Sequence, residues 1–410
     1  MLTERYSPRS TKRYRQILYS LLLLSILIRL VMVIANPMYP NKGYLPGYND
    51  EPLHLHYVKY VAENRTRPIF DRSLADMDTL THQYIQSPLY YLLAAPVYQM
   101  GNTFSSNNGG MYSTRLLSVL FGVISIVLIF RLVNLLTGGE FKIAMGAAAA
   151  FCFAPNAVIF SSLVTNDALL ILLSVVFIYF VVLSSQNNAS NFHIFLASAF
   201  LAAAVWTKLS ALSLFPLLWF CAPSSLPMKK KLLVLLQGII TCGVLTLPLF
   251  LWNGIHYGSP ILSGVGPVHP KYMPEVALGV EGNAINHPVR AMKTLLRTAV
   301  IPFQELWGSN IEKTSSFLWL IWWGVLSLVG FVMLIWKFSR YGVLIMSLFL
   351  VGIAFLWYSS ITFQVEFRLW IPAWVALSAM VGMGIGVLRV NYYIQGLLWI
   401  APMLIAIITR

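Results

Sequence analysis

The residues best suited to chemistry sit in one short run, Asn49-Asp50-Glu51-Pro52-Leu53-His54-Leu55-His56. Only 14 of the 410 residues are acidic and 58% are hydrophobic. A chain this apolar has few places to hold a carboxylate, so an acidic pair beside two histidines marks a functional site. Asp50 and His54 are spaced i, i+4, and Glu51 and His54 i, i+3. On a helix starting near Pro52 these three share a face, and His56 points elsewhere. A carboxylate so placed suits a general base or a metal ligand. Helix capping by an Asn or Asp ahead of Pro52 explains part of the same pattern and is compatible with either role.

Further polar groups punctuate the apolar sequence. His82-Gln83-Tyr84-Ile85-Gln86-Ser87-Pro88-Leu89-Tyr90-Tyr91 runs from polar residues directly into an aromatic interfacial helix. An aromatic belt at headgroup level is the plainer reading of it. Asp167 closes Thr165-Asn166-Asp167 between two spans, where capping is the common role. Lys208 lies in a break after Trp206-Thr207 and either snorkels or meets a lipid phosphate. Glu305 stands in Glu305-Leu306-Trp307-Gly308 and Arg368 in Glu366-Phe367-Arg368. Cations of this kind suit a phosphate leaving group.

These groups must be positioned by helices that cross a membrane. Repeated apolar runs of spanning length make this an all-α polytopic membrane protein. Spans are expected at 17–35, 115–137, 141–163, 167–185, 192–207, 209–222, 230–252, 315–336, 341–360, 369–388 and 393–409, about eleven in all. Pro88 to Met100 is short for a span and rich in Tyr and Pro, so it is expected to lie at the interface. The formal net charge is +14. Its basic residues are scattered between spans as cytoplasmic anchors, which excludes a nucleic-acid partner. Cys152, Cys221 and Cys242 fall inside apolar segments as packing residues.

Charge also sets the orientation. Arg5, Arg9, Lys12, Arg13 and Arg15 precede the first span, an uncleaved signal anchor, and put the N-terminus in the cytoplasm. Lys229-Lys230-Lys231, Lys337, Arg340 and Arg389 then fall inside, provided that Pro88–Met100 does not cross. All acidic residues except Glu4 and Glu140 fall outside, in a first outer loop over 37–113, a large outer loop over 253–314 and the span ends. Arg29, inside the first span but nearer its outer end, is expected to snorkel outward.

In order along the chain, Asp50-Glu51-Pro52 with His54, Ser87-Pro88-Leu89-Tyr90-Tyr91, Arg115-Leu116, Asn166-Asp167-Ala168-Leu169, Thr207-Lys208 and Glu366-Phe367-Arg368-Leu369 with Pro372 make a pattern. The pattern resembles the GT-C superfamily of integral-membrane glycosyltransferases, in the branch of protein O-mannosyltransferases and the lipid A aminoarabinose transferase. The resemblance implies a single GT-C-like transmembrane domain over 1–410 with interfacial helices on the outer face. It also implies a donor sugar on polyprenyl phosphate or diphosphate and a glycan, lipid or protein acceptor. Asp50 would be the catalytic carboxylate, supported by Glu51, and Asp167 a second acidic residue. Lys208 and Arg368 would hold the donor phosphate, with His54, His82, Gln86, Tyr90 and Glu305 as further contacts. Some members use a divalent metal (Mg, Mn or Zn) and others none. Asp50, Glu51, His54 and Asp167 are the possible ligands. The soluble C-terminal domain of several relatives is expected to be absent, and compact loops point to a bacterial plasma membrane. The alternatives are a transporter or flippase of lipid-linked sugars and a non-catalytic subunit that binds them. Neither midplane charges nor inverted repeats favour a transporter.

Overall fold

A computed structural model of the chain describes residues 8–35, 51–70, 79–105, 108–186, 189–260, 314–336, 338–362, 372 and 374–387. All regular elements among the described residues are helical: α1 (Pro8–Ala35), α2 (Glu51–Asn64), α3 (Leu89–Phe104), α4 (Gly109–Thr137), α5 (Phe141–Phe153), α6 (Pro155–Phe160), α7 (Asp167–Gln186), α8 (Asn191–Thr207), α9 (Met228–Tyr257), α10 (Thr314–Trp336), α11 (Phe338–Thr362) and α12 (Trp374–Val387). Two 3₁₀ runs, Thr79–Ile85 and Leu209–Cys221, complete the described elements. Helices suit a chain in lipid because they satisfy their own backbone polar groups. Among the described residues, Gln16–Ala35, Gly109–Thr137, Asp167–Gln186 and Met228–Tyr257 are long and apolar enough to cross a membrane.

The shorter apolar segments reach further than their residue counts suggest. The 17 residues of α8 rise about 26 Å at the α-helical pitch. The 13 residues of Leu209–Cys221 reach about the same, because a 3₁₀ helix rises about 2 Å per residue. Hydropathy reads both as spans and is blind to this difference in winding.

α4, α7 and α8 pack side by side, with α5 against α4 and α9 against α8. α12 packs between α5 and α10. Glycines set that last contact. A Cβ on Gly330 would lie 1.8 Å from the Met380 carbonyl oxygen, and one on Gly384 2.2 Å from that of Leu326. Small residues at helix contacts let backbones meet where lipid supplies no hydrophobic drive. α9 turns a stripe of Leu232, Leu236, Ile240, Val244, Leu247 and Leu251 outward. Against lipid this is ordinary surface.

α3 is the helix expected at the interface. It buries Tyr90, Tyr91, Ala94 and Ala95 and exposes Leu92 and Leu93, an i, i+4 pattern that lays one face on α2 and α4.

Two expectations are corrected. The segment 141–163 is not one helix: it breaks at Ala154, whose extended ψ of 119° leads into Pro155 at the start of α6. Pro155 lacks the N–H needed to continue the helix. Arg29 does not snorkel; it is fully buried. Its Nε donates to Ser161 Oγ at 2.7 Å and its Nη1 to the Cys152 carbonyl at 3.2 Å, the latter freed by the break. Ser25 takes a further bond through its hydroxyl. The α5–α6 break thus supplies the acceptors that let a guanidinium stay inside the bundle. The expected span 393–409 and the 261–313 part of the large loop lie outside the described residues.

Replacing Gly384 by Leu is expected to push α12 from α10 and cost at least the about 1–3 kcal/mol of an overpacked core. An unchanged thermal midpoint in detergent would count against that packing.

Candidate functional site

The start of α2 is fixed by a buried ion pair. Arg115, near the start of α4, donates from Nε to Glu51 Oε1 at 2.7 Å and from Nη2 to Oε2 at 2.6 Å. Its Nη1 donates to the Val33 carbonyl at the end of α1, at 2.7 Å. Glu51 Oε1 also accepts the Val164 N–H at 2.9 Å, just before α7. Both side chains are almost fully buried. The planar fork of an arginine matches a carboxylate bidentately, which gives geometric as well as energetic definition. One carboxylate therefore ties together the end of α1 and the starts of α2, α4 and α7.

A second ion pair lies at the same end of the bundle. α7 and α8 are antiparallel neighbours, so the first residue of α7 meets the residue that follows α8. Lys208 Nζ stands 2.7 Å from Asp167 Oδ1. The Asp167 side chain is buried, and that of Lys208 keeps 12% of its surface open. An ammonium has three donors, so one bond to Asp167 leaves it able to make others. Asp167 Oδ2 accepts the Thr165 hydroxyl at 3.4 Å. Asn166 Nδ2 donates to the Thr207 carbonyl at 3.2 Å and reaches Gln86 Oε1 at 3.5 Å.

An aromatic group joins the two. His54 Nδ1 is 2.7 Å from the Tyr91 hydroxyl, and Tyr91 stacks on Tyr57 with centroids 3.7 Å apart. Tyr84 stacks on His56, with its hydroxyl 3.0 Å from Nδ1. The Tyr90 hydroxyl meets Ser118 Oγ at 3.1 Å. Burial pushes the Tyr90 phenol above its ordinary range, and the Glu51 and Asp167 carboxylates act in the same direction. Tyr90 therefore lies within electrostatic reach of both carboxylates and stays protonated as a donor.

The structure brings Glu51, His54, Gln86, Tyr90, Asp167 and Lys208 to one end of the bundle. The sharing of a face by Glu51 and His54 is as the spacing predicts: both are buried on α2, and His56 bonds elsewhere. Asp50, Glu305 and Arg368 lie outside the described residues, as does the side chain of His82. Sequence reading missed the pairing of Glu51 with Arg115 and, altogether, Arg67. The Arg67 guanidinium sits 3.7 Å from the centre of the Trp252 ring.

The described metal candidates do not fit a metal site. Glu51 is engaged by Arg115 and Val164, Asp167 by Lys208, and His54 Nδ1 by Tyr91. Among the described residues no three His, Cys, Asp or Glu side chains come together.

Residues 88–252 match the family of dolichyl-phosphate-mannose-protein mannosyltransferases, less than half of the chain. The whole architecture matches solved membrane enzymes. ArnT from Cupriavidus metallidurans, in the apo state, aligns over 96% of this chain and 63% of its own, with TM-score 0.57 and 14% identity. ArnT bound to undecaprenyl phosphate aligns over 98% and 64%, with TM-score 0.54 and 15% identity. The Archaeoglobus fulgidus oligosaccharyltransferase tethered to an acceptor peptide aligns over 96% and 55%, with TM-score 0.56 and 14% identity. The chain has the GT-C fold. It spans less than two thirds of the length of each of these GT-C proteins. No curated protein matches it by sequence. The two ion pairs lie within this GT-C framework at the helix ends that the pattern of sequence landmarks singles out.

Replacing Arg115 by Leu leaves Glu51 buried without its partner, and about 3–5 kcal/mol of stability should be lost. Removing both charges in Glu51→Leu/Arg115→Leu should cost less than either single change. Thermal unfolding of the three variants in detergent checks the ordering, and additive losses would refute the coupling.

Proposed function

We propose that the chain is a glycosyltransferase that moves a sugar from a polyprenyl-phosphate or -diphosphate donor to an acceptor on the outer face of the membrane. The observation that carries this reading is the Lys208–Asp167 pair, a partly open ammonium held by a buried carboxylate beside the Glu51–Arg115 anchor. The GT-C fold and the match of residues 88–252 to mannosyltransferases support it. So does the undecaprenyl phosphate bound to ArnT.

In this reading each ion pair has a different job. Glu51 has both oxygens occupied, so it positions rather than reacts. Asp50, one peptide bond before it, is the general base. It takes the proton from an acceptor hydroxyl as that oxygen attacks the anomeric carbon. The bond from this carbon to the phosphate oxygen breaks, and the phosphate leaves with its electron pair. Direct attack inverts the anomeric centre. Lys208 receives the charge that develops on the phosphate, Asp167 keeps its ammonium in place, and Tyr90 and His54 line the approach. Arg368 and Glu305 are further donor and acceptor contacts, and His82 and Gln86 lie on the segment leading into α3. A positioned base contributes about 10²–10⁴-fold, and one electrostatic contact to the developing charge about 10²–10³-fold.

Purified protein supplied with a radiolabelled polyprenyl-phosphate sugar should release label to an acceptor. Asp50→Asn should abolish transfer while leaving donor binding and thermal stability intact; near-normal turnover would sink the assignment. Lys208→Ala should reduce kcat/KM by roughly 10²-fold or more, mainly through poorer use of the donor. Label that crosses a proteoliposome bilayer without ever reaching an acceptor would instead indicate a transporter.

A further inference from the structure

Arg67 is the cation that the mechanism above does not use. It follows α2 at the same end of the bundle and is largely buried without a carboxylate partner among the described residues. Its guanidinium carbon lies over the Trp252 indole, 3.7 Å from the ring centre. Nη2 donates to the Gln86 carbonyl at 3.4 Å, and Tyr57 is a weak hydrogen-bond partner. Its Nε is buried and donates to nothing.

The orphan is not isolated. Ser87 Oγ and Asn166 Oδ1 are also buried without partners. Ser87 follows Gln86, and Asn166 reaches the Gln86 side chain. Three unsatisfied polar atoms thus gather within one bond or one residue of Gln86, which links Arg67 to the Asn166-Asp167 corner and hence to Lys208. Buried polar atoms are normally paired, and each exception asks for an explanation. A phosphate monoester or diester supplies acceptors to Arg67 Nε and the Ser87 hydroxyl together, and a hydroxyl on an attached sugar supplies a donor to Asn166 Oδ1. Trp252 and the tyrosines offer flat faces against which such a sugar packs.

We propose that Arg67, held over Trp252 and linked through Gln86 to Ser87 and Asn166, is a second phosphate-binding group of this end of the bundle, beside Lys208. The proposal deepens the donor reading and rests on it for the identity of the phosphate. The anion meets the edge of the guanidinium that carries the orphaned Nε, where Nε and one Nη form a bidentate fork. Arg67→Lys keeps the charge and discards that fork.

The test uses the full chain in phosphatidylcholine nanodiscs with radiolabelled undecaprenyl phosphate as the probe. Undecaprenol is the neutral control, and short-chain phosphatidylglycerol the competitor that represents an ordinary headgroup. Arg67→Ala should weaken undecaprenyl phosphate binding by about 10- to 100-fold, Arg67→Lys by an intermediate factor, and undecaprenol binding should not change. Ser87→Ala, a smaller perturbation, should lower affinity for the phosphate in the same direction and serves where Arg67→Ala does not fold. If phosphatidylglycerol displaces the probe only when Arg67 is present, the site takes phosphate headgroups in general. If it does not compete, the site belongs to the polyprenyl donor. Wild-type affinity in folded Arg67→Ala, with Lys208→Ala still impaired, would overturn the role of Arg67 and leave the donor reading standing. If wild-type protein does not prefer undecaprenyl phosphate over undecaprenol, the donor reading falls. The Arg67 site then stands only on Arg67-dependent phosphatidylglycerol binding, and falls with the donor reading when that is absent.

Discussion

A single carboxylate holds the working end of this molecule together. Glu51 is gripped by Arg115 and by the Val164 N–H, and Arg115 in turn holds the last turn of α1 through the Val33 carbonyl. Four segments far apart in sequence meet in one set of charge-assisted bonds. In water such a pair contributes little, because the ions trade good hydration for each other. In the buried setting water cannot compete for its members, so its geometry is strongly enforced. The start of α2 inherits that geometry, and with it the orientation of His54 on the next turn.

The second ion pair depends on the first. α7 begins three residues after Val164, so the Glu51 anchor fixes the approach of Thr165-Asn166-Asp167 to the end of α8. Asp167 can be almost completely buried because Lys208 neutralises it, and Lys208 can stay partly open because its stem leaves the break between α8 and the 3₁₀ run. The extended backbone of Lys208 ends α8 and frees the side chain to turn toward α7. Helix ends, rather than loops, therefore supply the charged groups here, and helix ends in a packed bundle are rigid supports.

Much of this was legible in the sequence, and the misses have common causes. Glu51, His54, Asp167 and Lys208 stand out because charge is rare in the chain, and antiparallel neighbours of similar length bring the start of α7 to the end of α8. What spacing cannot show is which ions pair: Arg115 reads as a residue opening a span, and its partner is 64 positions earlier. Arg67 carries no local signal, because the features that define it are Trp252 and the backbone of Gln86. The broken helix over 141–163 was visible as Pro155 but hidden by continuous hydropathy. Arg29 looked close enough to the span end to reach water, and only the freed Cys152 carbonyl and Ser161 explain its burial. Asp50 and Arg368, which the proposed chemistry uses, lie outside the described residues.

The burial of Arg29 bears on how the protein is made. α1 leaves the ribosome 132 residues before Ser161, its acceptor in α6. At about 5–20 residues per second that is a wait of roughly 7–26 s. During that wait Ser25, on α1 itself, is the one of its bundle partners already present, and an Arg inside a span costs up to about 2.5–3.5 kcal/mol on insertion scales. The apolar residues of the first helix must outweigh that cost until the proline break between α5 and α6 arrives to receive the charge, and assembly of the bundle then removes it.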